Sequence, residues 1–261
     1  EGNTIGQTSL IEFFGETEIP ILKGQPFAED LYLNLAARWT EEENYGALWT
    51  YRVQGVYQPF DWLTTRASFG TTYRSPNLRE QFLAAQVGFF NAFVDPCVES
   101  VFETFSETAE PGEIARVENN CRLQNADPFA LGDGGAVSPR VITGGTTRLE
   151  AETSEGFTGG FTFEQPWFDS FDFRVAVNYF NIEIENSIEE PSVGFILNEC
   201  LIESESLNSP FCDLITRDTN ADPTLNFINF VDSSFVNVGL IETDGLDFDI
   251  GYDQDFVVGG N

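Results

Sequence analysis

Hydrophobic and polar positions alternate with period two through seven stretches of the chain. The clearest is Leu63–Arg74, where Leu63, Thr65, Ala67, Phe69, Thr71 and Tyr73 share one face and Thr64, Arg66, Ser68, Gly70, Thr72 and Arg74 the other. Period two is the signature of a strand, because successive side chains leave opposite sides of the pleat. A run of about twelve residues is long for a globular strand, where five or six is usual, and suits a tilted strand crossing a bilayer. Ser75-Pro76 then stops the ladder, since proline has no N–H to donate.

Strands are expected at roughly 7–19, 29–40, 45–58, 62–74, 153–165, 171–188 and 236–253. In the first, Ile11, Phe13, Thr17 and Ile19 oppose Glu12, Phe14, Glu16 and Glu18; Pro20–Pro26 is expected to be a short turn. The same register assigns Phe69, Val175, Val177, Phe248 and Ile250 to an apolar face. It assigns Arg38, Arg52, Arg66, Arg174, Asp247 and Asp249 to the opposite, charged one. A dry core would charge several kcal/mol for each unpaired ion, whereas a water-filled or plugged lumen tolerates them. Those six residues are therefore expected to face a lumen, held either as cross-strand ion pairs or as contacts to a plug or a passing solute. Trp39, Trp49, Trp62, Tyr57, Tyr73, Tyr179 and Tyr252 lie near strand ends, where amphipathic rings suit a membrane interface.

Alternation stops in two long excursions, 75–147 and 189–224. Short helices are expected there: one behind Ser75-Pro76 carrying Leu78, Phe82, Phe89 and Phe93 at helical spacing, one over Pro111–Leu123, and one starting at Ser209-Pro210. With strands running alternately down and up, both excursions leave the same side, and most short turns fall on the other. Such sorting belongs to transmembrane barrels, which have long external loops and short periplasmic turns.

Two motifs sharpen that reading. Tyr73–Phe82, YRSPNLREQF, closes the fourth strand, and Arg148–Ser154, RLEAETS, opens the fifth. The first resembles the aromatic-Arg-Ser/Ala-Pro-x-Leu-x-Glu run of outer-membrane receptors that depend on TonB. The second resembles their Leu-x-Pro-Glu-Thr-Ser stretch, with Ala151 in place of the proline. The resemblance implies an all-β fold: an antiparallel transmembrane β-barrel portion of about seven strands, with long disulfide-bearing extracellular loops that contain short helices. It corresponds to a middle-to-late part of a family member. The plug, the TonB-contacting segment and the closing strand are expected outside these residues, Phe256–Asn261 not reading as that strand. By the same resemblance the chain resides in the bacterial outer membrane. Its partners are then membrane lipid, the TonB complex acting through a plug, and a small-molecule or oligosaccharide ligand captured by the loops.

Composition narrows the alternatives. With 43 acidic against 12 basic residues the net charge is −31, which leaves nothing to neutralise phosphates and excludes nucleic acid as a partner. No apolar run is long enough for a transmembrane helix. Four cysteines without histidine argue against zinc and for disulfides in an oxidising compartment. Of three connectivities, Cys97 with Cys121 and Cys200 with Cys212 is favoured, each couple lying within one excursion. Phe89, Phe90, Phe93, Phe102 and Phe105 are candidate ligand-loop aromatics, with a small loop core as the competing role. No cofactor is expected. Asp218, Asn220 and Asp222 have the opening spacing of a calcium loop, but its glycine and terminal glutamate are missing, and a polar turn is the competing role. No motif supports catalysis. The rival functions are a secreted β-rich adhesion or glycan-binding module, and a passive or structural outer-membrane barrel.

Overall fold

The computed structural model describes residues 3–91, 94–132 and 138–254. In chain order the strands are β1 (Leu10–Gln25), β2 (Ala28–Glu42), β3 (Gly46–Phe60), β4 (Leu63–Arg74), β5 (Gln86–Phe89), β6 (Arg140–Thr143), β7 (Glu152–Glu164), β8 (Asp172–Glu185), β9 (Ile188–Glu189), β10 (Ile215–Arg217), β11 (Ile228–Asp232), β12 (Val236–Asn237) and β13 (Leu240–Asp253). Helices are α1 (Leu78–Phe82), α2 (Glu99–Ser106), α3 (Pro111–Leu123) and α4 (Val193–Leu197). These elements form two units: a sheet unit built from 7–76, 150–187 and 237–261, and a loop unit built from 1–6, 77–149 and 188–236. Among the described residues no helix is long and apolar enough to cross a membrane, which leaves a strand-built crossing open.

The sheet unit is one antiparallel sheet in the order β1-β2-β3-β4-β7-β8-β13. Its strands hold 12 to 16 residues, more than the roughly 9–11 that cross a bilayer. The register lines up Leu63, Phe163, Val175 and Ile250 in one cross-strand row, and Thr65, Phe161, Val177 and Phe248 in the next. None of these side chains is buried; Phe248 and Ile250 are 67% and 69% exposed. An exposed apolar face this wide marks a surface for contact with lipid or protein.

Two rows beyond Phe161–Val177–Phe248 the face changes character. Asn181 meets Asp244, and Glu155, Glu183 and Glu242 stand directly opposite one another on β7, β8 and β13. Like charges so placed repel. Glu183→Gln should therefore stabilise the sheet by about 0.2–1 kcal/mol, with a smaller gain in high salt. Thermal melting at low and high ionic strength checks this; no gain at low salt would show that the ladder is already neutralised.

Connections sort by end. The turn at Pro26-Phe27, the two-residue Asp61-Trp62 hairpin and the 165–171 link close one end. Both long excursions leave the other, where Arg74 pairs with Glu152 and Glu185 with Leu240. The brief β2–β3 turn joins them, its backbone amides at Asn44 and Tyr45 donating to the buried Glu42 carboxylate at 2.7 and 2.8 Å. β1 continues past the expected stop at Ile19: Pro20 sits in the strand at a register shift. A proline is tolerated there because the register shift between Pro20 and Leu22 interrupts the ladder locally.

The loop unit is a conventional globule with a dry core. Val98, Phe102, Val117, Ala126 and Leu131 from the segment 77–149 pack with Ile196, Leu197, Leu201, Ile228 and Val231 from the segment 188–236. The excursions, in which only short helices are expected, share one core and a four-stranded sheet in the order β10-β11-β6-β5. α3 covers the expected Pro111–Leu123, opened by a capping box between Glu110 and Glu113. The helix expected at Ser75-Pro76 starts two residues later, with Asn77 as its cap, and ends at Phe82, so Phe89 lies on β5 instead. Phe93 and most of the glycine-rich 132–135 stretch lie outside the described residues.

Candidate functional site

Two surfaces carry the residues singled out from sequence. The first is the charged face of the seven-stranded sheet, where the register puts Arg38, Arg52, Arg66, Arg174, Asp247 and Asp249 on one side. Most are partnered. Arg174 meets Asp249 at 3.0 Å and Arg38 meets Glu12 at 3.6 Å, both diagonally between adjacent strands. Arg52 reaches Glu16 at 3.0 Å over Ala36 on the intervening β2. Arg66 donates to Asn178 Oδ1 from Nε and Nη2 at 3.2 and 2.9 Å across Gly160 on β7. All are well exposed, so each contributes little to stability alone. They fix register and leave a polar face.

The small residues under these bridges matter. A Cβ on Gly160 would stand 2.6 Å from Asn178 Oδ1 and closer still to the Val177 carbonyl oxygen. Gly160→Ala should cost about 1–3 kcal/mol through overpacking and break the Arg66–Asn178 contact. Urea titration of the protein folded in lipid reads this; an unchanged midpoint would mean that β7 and β8 separate freely there.

The second surface belongs to the loop unit. Its disulfides are Cys97–Cys121 and Cys200–Cys212, with Cα separations of 5.6 and 4.9 Å, and Cys97, Cys121 and Cys200 are buried in the common core. Phe102 is 3% exposed and meets Phe129 edge-on, and Phe90 and Phe105 pack against the same core. Phe102 is therefore part of the unit's interior, with Phe90 and Phe105 half-buried against it. Phe89, at 70% exposure, is open.

The candidate calcium residues are engaged locally. Asp218 accepts from Asn229 at 2.9 Å, and Asn220 donates to the Leu225 carbonyl at 3.2 Å. Asp222 caps the turn at Pro223, and the Thr224 hydroxyl and amide hold its carboxyl below the usual carboxylate range. Among the described residues no three acidic, histidine or cysteine side chains gather as a metal site.

Sequence reading missed the polar centre of the unit. Arg217, 5% exposed, grips Asp95, 2% exposed, through two bonds of 2.7 Å. Its Nε donates to Gln124 Oε1 at 2.7 Å and its Nη1 to the Asn226 carbonyl at 3.3 Å. Asp95 also accepts from the Cys97 amide at 3.0 Å. The pair joins residues 122 positions apart, and no local signal marks it. Asn120 and Asn226, both fully buried, add further ties from α3 to the 201–204 stretch and from 226 to Asn125.

Comparison with known proteins agrees with this architecture. The family described as TonB dependent receptor-like, beta-barrel matches residues 2–261. Among solved structures, the siderophore receptor PirA from Acinetobacter baumannii aligns at 14% identity and a TM-score of 0.51, over 95% of this chain and 26% of that one. A mutant of the ferric enterobactin receptor PfeA from Pseudomonas aeruginosa, in complex with enterobactin, aligns at 16% identity and a TM-score of 0.51, over 92% and 24%. The hemophore receptor HasR of Serratia marcescens, in complex with its hemophore HasA and heme, aligns at 12% identity and 0.48, over 94% and 32%. At such identities the likeness to the PirA and PfeA structures is one of fold, and this chain spans about a quarter to a third of the three structures. No curated protein matches. The chain belongs to the family of TonB-dependent receptor-like β-barrels.

Proposed function

We propose that this chain is barrel and loop from an outer-membrane receptor for TonB-dependent uptake of a scarce solute. The observation that supports it most is the sorting of the seven-stranded sheet. One face is apolar and exposed, the other is charged and internally paired, and both long excursions leave a single end. Apolar side chains then meet lipid, the paired charges line a hydrated interior, and the loop unit stands on the outer side as the capturing element. Transport energy would arrive through TonB and a plug supplied by other parts of the receptor.

The solute belongs to a class that porins pass poorly: a siderophore, heme, an oligosaccharide or a similar nutrient. Siderophore receptors are among the proteins whose fold this chain shares, which supports the first member of that class. The test is accumulation of ferric enterobactin, heme and a linear oligosaccharide by cells carrying the full-length receptor, with and without a working TonB. Accumulation of at least one that disappears without TonB is expected. Accumulation that persists without TonB would instead describe a passive barrel.

A further inference from the structure

The four-stranded sheet of the loop unit has two unlike faces. Ile215, Val231, Val141 and Gly88 form one cross-strand row, and Val231 and Ile215 belong to the core side. The adjoining row, Thr216–Phe230–Arg140–Phe89, points the other way, as do Asp232, Ile142 and Val87 beyond it. That face is open: Phe89 is 70% and Val87 59% exposed, and Arg140 is exposed between them and Phe230. Phe89 and Phe230 stand two strands apart, about 10 Å between backbones, with the guanidinium on the strand between.

Arg140 is positioned but not neutralised. Its Nη2 donates to Asn229 Oδ1 at 3.0 Å, and Asn229 in turn donates to Asp218 Oδ1 at 2.9 Å. In the same unit Arg79, Arg122 and Arg217 each hold a carboxylate directly, whereas Arg116 and Arg148, like Arg140, form no ion pair among the described residues. Arg140, in a chain with 43 acids, forms no ion pair among the described residues. A guanidinium with no carboxylate partner among the described residues, on a strand flanked by Phe89 and Phe230, is complementary to a carboxylate on a flat apolar body. The site offers a single cation, and the acidic surroundings repel polyanions, so the complementary ligand carries one negative charge.

We propose that this sheet face binds a small aromatic carboxylate, its ring system against Phe89, Phe230, Val87 and Ile142 and its carboxylate on Arg140. The inference rests on the receptor reading above and names the ligand chemistry of the loop unit. Offset stacking on phenyl rings supplies the apolar part, and a charge-assisted bidentate contact supplies direction.

The test uses full-length receptor in lipid nanodiscs and equilibrium dialysis of 2-naphthoate, with its methyl ester and cellotetraose as comparisons. Naphthoate should bind saturably, and the ester and the sugar should not. Arg140→Gln should weaken naphthoate at least about tenfold, the loss expected for one charge-assisted contact. Arg140→Lys should recover only part, and Phe89→Ala should weaken it too, with an unchanged protease pattern showing the loop unit intact. No naphthoate binding, equal binding of the ester, or affinity indifferent to Arg140→Gln each overturns the proposal. So does sugar binding that depends on Phe89. TonB-dependent uptake of another solute alongside any of these leaves the receptor reading standing and removes only this ligand assignment.

Discussion

Arg217→Ala should unfold the loop unit and leave the seven-stranded sheet in place. The guanidinium is almost wholly buried and holds Asp95, Gln124 and the Asn226 carbonyl at once. Truncation strands the Asp95 carboxylate in a dry interior, and breaking one side of such a pair costs about 3–5 kcal/mol. Both disulfides close loops within one excursion, so neither ties the two halves of the unit together covalently. Limited proteolysis of the folded receptor should show new cuts within 77–149 and 188–236, with sheet fragments preserved. An unchanged digestion pattern would mean that hydrophobic packing alone holds the two excursions together. A double variant, Asp95→Leu with Arg217→Met, should restore much of the resistance, since an apolar replacement of a buried pair is often neutral or better.

Val177→Arg should cost about 2–4 kcal/mol of folding free energy in bilayers, the price of a guanidinium near the midplane on a lipid-facing strand. Val177 lies in the row Thr65–Phe161–Val177–Phe248, with apolar rows on both sides of it. The neighbouring Ala176 lies on the charged face opposite Asp249, so Ala176→Arg should cost far less. Reversible unfolding from lipid vesicles compares the two. Equal costs would show that the two faces do not differ in environment.

The seven long strands were legible because alternation over a dozen residues leaves little room for another period. So were the cysteine couples, α3 behind Pro111, and the short helix that Ser209 caps. The internal fold of the excursions was not. β5, β6, β10 and β11 hold four, four, three and five residues, too few for period two to stand out from chance. Phe89 and Phe93 happened to fall at helical spacing from Phe82, which suggested a longer helix than the one Leu83 ends. The Asp95–Arg217 pair and the Phe230–Arg140–Phe89 row join residues far apart in sequence, so their chemistry exists only once the sheet and core are assembled. Pro20 reads as a turn because proline usually ends a ladder, yet here the strand runs on through a register shift between Pro20 and Leu22.

Sidedness is the central claim, and single cysteines read it directly. Thr219→Cys in the second excursion and Asp169→Cys in the β7–β8 connection lie on segments that leave opposite ends of the sheet by chain order. Intact cells expressing the full-length receptor are treated with a maleimide too polar to cross the outer membrane. The account predicts labelling of Thr219→Cys in intact cells and of Asp169→Cys only after the outer membrane is opened. Labelling of Asp169→Cys in intact cells, with Thr219→Cys protected, would contradict it.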